Sequence, residues 1–100
     1  MQPIFEALAS APRRKILAYL AEAELTAGEI AARFSMSKPA ISKHLRVLRQ
    51  AHLVREQRRG KERHYALEPM PLQRVAGWIE GYRAFWLRNL NQLKAYLESP

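Results

Sequence analysis

Apolar residues recur at steps of three and four along the last third of the chain, from Leu72 to Leu97. This spacing puts them on one face of an α-helix. The stripe consists of Leu72, Val75, Ala76, Ile79, Tyr82, Trp86, Leu90, Leu93 and Leu97. A domain of 100 residues has too small a core to cover a stripe of this length, with Trp78 and Phe85 in addition. The stripe therefore predicts a long helix that packs against a second subunit.

Capping signals divide the preceding residues into short helices. After a first short helix over residues 3–9, Ser10 is placed to cap a second one, which has a proline in its first turn, where the missing N–H has no helical partner. The sequence "TAGE" at residues 26–29 is a capping box, in which the Thr and Glu side chains each bond the other's backbone N–H. It predicts a helix over residues 27–34 that buries Ile30 and Phe34.

The sequence "SMS" at residues 35–37 predicts a tight turn, after which Ser37 caps a further helix. The buried face of that helix is predicted from residues at i, i+4 and i+7, which are Ile41, Leu45 and Leu48. His52 stands where a glycine would usually end the helix, and histidine is one of the few other residue types that tolerate a positive φ.

Two alternating segments, residues 53–59 and 62–67, predict a β-hairpin with Gly60 in its turn. Together these elements predict one domain over residues 1–100, mainly α-helical with a small β-hairpin. The chain has no cysteine, which excludes disulfides and thiolate metal sites. We find neither a secretory signal pattern nor an apolar run near the ~18 residues of a membrane span. We therefore expect a cytoplasmic protein without membrane contact.

The positive charge is concentrated in one segment. Between positions 33 and 64 ten Lys or Arg residues are opposed by only Glu56 and Glu62, which gives +8. The rest of the chain holds seven basic and seven acidic residues, so this segment accounts for the whole formal net charge of +8. A basic segment of this kind favours a polyanionic partner, with nucleic acid ahead of membrane.

The order helix, helix, helix–turn–helix, hairpin, long helix is that of a winged helix, in which the helix after the turn enters the major groove of DNA. Three segments, "LASAPRRKILAYL", "SMSKPAISKHLRVLRQAHLV" and "RRGKERHYAL", resemble the corresponding motifs of ArsR-type winged-helix repressors in order and spacing. The resemblance covers essentially the whole chain. It implies a homodimer, paired through its first and last helices, that binds an imperfect inverted repeat in double-stranded DNA and blocks transcription.

Candidate DNA contacts lie on the exposed face of the helix after the turn and on the hairpin. Base edges are expected to meet residues of the first two turns, namely Lys38, Ala40, Ser42 and Lys43. Phosphates are expected to meet Arg46 and Arg49, and the backbone N–H of Ser37. We expect Arg59 and Lys61 to reach DNA from the hairpin tip, and His44 to touch the DNA backbone or a neighbouring helix. The simpler interpretation is a solvated, charged helix face.

The predicted dimer interface takes residues from both terminal helices: Ile4, Phe5, Leu8, Ile79, Tyr82, Trp86, Leu90, Leu93 and Leu97. We predict no metal site and no cofactor. Some sensors of the family carry paired cysteines where this chain has Thr26 and Gly28, and others use Asp and His of the last helix, which has neither here. The three histidines, His44, His52 and His64, are not at ligand spacing either.

Two alternatives stay open. The aromatic residues of the last helix, Trp78, Tyr82, Phe85, Trp86 and Tyr96, suit interface packing, but they also suit a pocket for an organic effector between subunits. A winged helix used only for protein–protein assembly is the second alternative, although such domains usually lose the basic bias that this chain keeps. An enzyme is not expected, because the sequence contains no nucleophile–base pattern and no glycine-rich phosphate loop.

Overall fold

The computed structural model describes residues 2–99. In chain order the elements are α1 Gln2–Leu8, α2 Ala11–Glu22, β1 Leu25–Thr26, α3 Ala27–Ala31, α4 Lys38–Gln50, β2 Val54–Arg59, β3 Glu62–Leu67 and α5 Pro69–Glu98. The prediction of a mainly α-helical chain with a small hairpin is confirmed.

The predicted caps are present at three helices. Ser10 Oγ accepts a hydrogen bond from the backbone N–H of Arg13 at 3.4 Å. The capping box is complete, with Glu29 N–H donating to Thr26 Oγ1 at 3.1 Å and Thr26 N–H donating to the Glu29 carboxylate at 2.9 Å. Ser37 Oγ accepts from the N–H of Ala40 at 3.3 Å, which starts α4 directly after the turn.

The predicted helix over residues 27–34 was too long, because α3 ends at Ala31. Beyond it the chain tightens into i→i+3 bonds, from Arg33 N–H to Ile30 O and from Phe34 N–H to Ala31 O. Phe34 is consequently half-buried rather than buried, and its ring lies edge-on to Tyr19 with centroids 5.9 Å apart. The long helix begins at Pro69, earlier than predicted, because proline fits the first turn.

A short strand that the sequence did not reveal completes the sheet. β1 pairs antiparallel with β3, with Leu25 opposite Tyr65, and the strand order is β1-β3-β2. Two residues are too few to show an alternating pattern, so only the tertiary pairing defines this strand. His52 and Gly60 both adopt positive φ, as predicted, and so end α4 and turn the hairpin.

The core lies between the helices and one face of the sheet. Its fully buried large side chains are Ile16, Ile30, Ile41, Leu48 and Leu53. They come from α2, α3, α4 and the segment before β2. This packing fixes α4 through its predicted apolar face, and the opposite face of α4 is left exposed.

The long helix α5 leaves the protomer core after its first two turns. Pro71 and Val75 are its buried residues, and every residue from 76 to 98 is exposed. Near its base Trp78 packs against Phe5 of α1, with the two rings tilted by 54° and their centroids 5.4 Å apart. The described protomer is 69 Å long but only 27 × 23 Å across. Within residues 2–99 no helix combines the length and apolarity needed to cross a membrane.

Candidate nucleic-acid interface

The outward face of α4 carries the residues predicted to contact DNA. Ser37, Lys38, Ser42, Lys43, Arg46 and Arg49 are exposed, and Ala40 is half-buried. The buried residues of α4, which are Ile41, Leu45 and Leu48, hold this face at a fixed orientation relative to the hairpin. The structure therefore brings the predicted base-edge and phosphate contacts together on one surface.

Ion pairs divide the basic residues into two groups. Four arginines pair with carboxylates: Arg49 and Arg63 with Glu56, Arg55 with Glu68, and Arg59 with Glu24. The others of α4 and the hairpin make no ion pair with any residue in the range 2–99, and these are Lys38, Lys43, Arg46, Arg58 and Lys61. Uncompensated positive charge is thus concentrated on the outer face of α4 and on the hairpin.

Arg59 is placed differently from its predicted role at the hairpin tip. Its guanidinium lies 2.8 Å from Glu24 Oε1 and donates to Gln57 Oε1 at 2.9 Å. His64 Nδ1 approaches the same carboxylate at 3.4 Å. These contacts turn Arg59 toward the outer side of the sheet, so its contact with DNA would need Glu24 to be exchanged for a phosphate. Lys61 stays exposed in the turn.

Two arginines that the sequence analysis did not favour face α4. Arg58 and Arg63 are direct cross-strand partners, on the same face of the hairpin as Glu56 and the buried Val54. Like charges directly opposite each other destabilise a hairpin, so this pair favours an anion nearby. The alternation of the strand from Val54 already contained this information, since positions 54, 56 and 58 share one face.

Arg13 of α2 joins α1 to α4. It donates to Ala7 O at 2.7 Å and to Glu6 O at 2.9 Å, which satisfies carbonyls at the end of α1. Its Nη1 lies 3.3 Å from His44 Nδ1. A guanidinium can only donate, so Nδ1 accepts and the ring proton of neutral His44 sits on Nε2. His44 therefore contacts a neighbouring helix, one of its two predicted roles.

The amino-acid sequence of this chain is similar to those of known proteins. Residues 11–56 match the sequence profile described as bacterial regulatory protein, arsR family. The transcriptional repressor SdpR of Bacillus subtilis (strain 168) is 40% identical over 79 residues, which cover 79% of this chain and 88% of SdpR. The chain belongs to the ArsR family. An HTH-type transcriptional regulator of Mycobacterium tuberculosis is 36% identical over 95 residues, covering 95% of this chain and 86% of that protein.

The similarity to ArsR-family proteins extends to the three-dimensional structure over nearly the whole chain. The structure of an ArsR-like transcriptional regulator from Rhodococcus sp. RHA1 superposes with a TM-score of 0.73 at 33% identity. It covers 99% of this chain and 93% of that one, so α5 lies within the shared region. The predicted family is confirmed, and with it a regulatory protein rather than an enzyme.

The terminal helices of this ArsR-family chain carry the predicted interface residues. Ile79, Tyr82, Trp86, Leu90, Leu93 and Leu97 form an exposed stripe along α5. Phe5 and Leu8 of α1 are half-buried beside its base, whereas Ile4 is buried in the core of its own protomer. Within residues 2–99 no three His, Asp or Glu side chains are grouped closely enough to hold a metal ion.

The surroundings of His44 predict a pH-dependent stability. Burial lowers the pKa of His44, and the positive charges of Arg13 and Lys43 lower it further. The unfolded chain therefore binds more protons than the folded chain between that lowered pKa and the ordinary value of about 6.5. Stability contributed by His44 is fully present above about pH 6.5 and is lost as the pH falls toward the lowered pKa.

We expect His44→Gln to flatten this dependence, because glutamine keeps an acceptor for Arg13 but does not titrate. Thermal unfolding measured from about pH 7 to pH 5 tests it. His52→Asn is the matched control, since His52 is exposed and asparagine tolerates its positive φ. If the melting temperature of His44→Gln falls with pH as steeply as that of the wild-type protein, groups other than His44 cause the loss of stability at acidic pH.

Proposed function

We propose that this protein is a homodimeric, sequence-specific transcriptional repressor that acts in the cytoplasm on an imperfect inverted repeat in double-stranded DNA. The observation that carries the proposal is a group of five cations on adjoining surfaces of an ArsR-family fold, none of which forms an ion pair with a residue of the described range 2–99: Lys38, Lys43, Arg46, Arg58 and Lys61. The name of SdpR, a transcriptional repressor, supports repression as the outcome.

Each α4 enters a major groove in this proposal. Side chains of its first two turns, Lys38, Ala40, Ser42 and Lys43, read base edges, and the methyl group of the half-buried Ala40 suits contact with a thymine methyl. Arg46 and Arg49 bind phosphates, and the backbone N–H of Ser37 donates to a further phosphate at the start of the helix. Lys61 reaches the flanking DNA backbone, with Arg59 beside it. Phosphate contacts supply affinity, and base contacts select the operator.

The second subunit covers the exposed stripe of α5 together with Phe5 and Leu8 of α1. The stripe is apolar from Ile79 to Leu97, about five helical turns, and no residue in the range 2–99 covers it. Twofold pairing there sets the two recognition helices about 34 Å apart, one turn of the duplex. A winged helix used only for protein assembly would not need the unpaired cations on α4.

Salt titration of DNA binding tests the proposal. Fragments selected from the host genome supply the operator, and fluorescence anisotropy then gives the Kd at several salt concentrations. Each neutralised phosphate contributes about −0.9 to the log–log slope. The four cations of each subunit that are assigned to the DNA backbone, Arg46, Arg49, Arg59 and Lys61, therefore predict a slope of up to about −7 for the dimer.

Matched variants locate the contacts within this experiment. Arg46→Ala should weaken binding and reduce the slope by about two for the dimer, because Arg46 is assigned to a phosphate. Lys15→Ala removes the same charge from the exposed side of α2 and should leave Kd almost unchanged. A flat salt dependence, or equal effects of the two variants, would contradict binding through α4.

A further inference from the structure

A small polar cleft separates α4 from the inner face of the hairpin. Its volume is about 100 Å³, and its polar walls come from Ser42, Arg46, Arg49, Glu56 and Arg63. It opens between the two elements that carry the unpaired cations. One wall is therefore on the predicted recognition helix, and the other is on the hairpin.

Glu56 bridges these two walls. Its Oε2 pairs with Arg49 Nη1 on α4, and its Oε1 lies 3.4 Å from Arg63 Nε on β3. The Glu56 side chain is only 15% exposed, while those of Arg49 and Arg63 are 52% and 58% exposed. Both carboxylate oxygens are thus engaged at the bottom of the cleft, beneath guanidinium groups that still reach solvent.

The cleft contains more positive charge than Glu56 neutralises. Arg46 lines it without an ion pair to any residue of the described range, and Arg58 stands directly opposite Arg63 on the same hairpin face. Three arginines, Arg46, Arg49 and Arg63, therefore line the cleft around one carboxylate, and Arg58 adds a positive charge opposite Arg63. A second anion would relieve their mutual repulsion.

We propose that this cleft binds one phosphate of the DNA backbone, and that Glu56 is an internal competitor for it which restrains DNA affinity. This inference rests on the proposed DNA-binding function. Carboxylate and phosphate oxygens accept guanidinium donors in the same forked geometry, so a phosphate at the mouth of the cleft must share Arg49 and Arg63 with Glu56. The nearby carboxylate also repels the phosphate, because the half-buried position limits screening.

Glu56→Gln tests the inference, since glutamine keeps the size and one acceptor but removes the negative charge. Operator binding should tighten about tenfold at low salt, and the salt slope should steepen by about two for the dimer. Glu62→Gln is the matched control: Glu62 is exposed on the same hairpin and makes no ion pair with a residue in the range 2–99. It should tighten binding by no more than about twofold.

The double variant Glu56→Gln/Arg63→Gln places the effect in the cleft. It should lose most of the gain of Glu56→Gln, because Arg63 is then no longer available to the phosphate. Thermal unfolding of each variant establishes that the fold is retained, and Glu56→Ala gives a second measurement should glutamine disturb the hairpin.

The outcomes separate the two proposals. In one outcome the wild-type protein binds its operator with a steep salt slope, but Glu56→Gln and Glu56→Ala bind no tighter than Glu62→Gln. This result would overturn the competitor role of Glu56 and leave the proposed function intact. Weaker binding by both Glu56 variants likewise overturns the competitor role, since Glu56 would then position the arginines for DNA. Wild-type protein that does not bind duplex DNA overturns the proposed function itself.

Discussion

Placing aspartate at both Leu90 and Leu93 is expected to yield a monomer whose operator affinity is at least about a hundredfold lower. Both leucines lie in the exposed stripe of α5. Burying four carboxylates across the proposed twofold interface is unfavourable without partners, so the subunits should separate. Each subunit then binds one half-site alone and loses the high effective concentration that the dimer gives the second recognition helix.

Ala84→Asp/Ala95→Asp is the matched control. Both alanines are exposed on the opposite side of α5, so the same number of charges enters the same helix without touching the stripe. Sedimentation equilibrium and fluorescence anisotropy measure the two readouts separately. A Leu90→Asp/Leu93→Asp protein that stays dimeric would remove α5 from the interface, and a monomer with wild-type affinity would show that pairing is dispensable.

Leu48→Ala should lower the free energy of unfolding by about 2–5 kcal/mol, the range for a leucine removed from a closed core. Leu48 lies on the apolar face of α4 and is fully buried. The substitution leaves a cavity between α4 and the rest of the core, and the loss is a large part of the roughly 5–15 kcal/mol typical of a domain.

Urea denaturation at one fixed protein concentration measures this loss, since the stability of a dimer depends on concentration. Leu87→Ala removes the same atoms from an exposed position off the main stripe and should change stability far less. Equal losses for the two variants would mean that α4 is not held through Leu48.

The sequence predicted the parts of the fold that local hydrogen bonds and periodicity determine. Ser37 and the capping box at Thr26 start their helices through bonds to residues three positions away, and the positive φ of His52 and Gly60 follows from residue type. The helices and the hairpin could therefore be placed within a few residues. The end of α3 was missed because nothing in the residue types of 32–34 forbids another helical turn.

The remaining features depend on ion pairs and strand pairing between residues that are far apart in the sequence. Glu24 holds Arg59 across 35 positions of sequence, and Glu56 holds both Arg49 and Arg63, so the charge available to DNA differs from the charge counted along the chain. Strand β1 is likewise defined only by its pairing with β3. A count of basic residues located the surface, but only the fold shows which cations are already occupied.

The length of α5 beyond its own protomer has a consequence for dosage in the cell. If the chain forms the proposed dimer, a newly synthesised subunit would expose the leucine and aromatic side chains of α5 to proteases and chaperones until it meets another subunit. Below the concentration at which pairs form, operator occupancy would rise with the square of the amount of protein made. Gene silencing would then set in over a narrow range of synthesis rates rather than gradually.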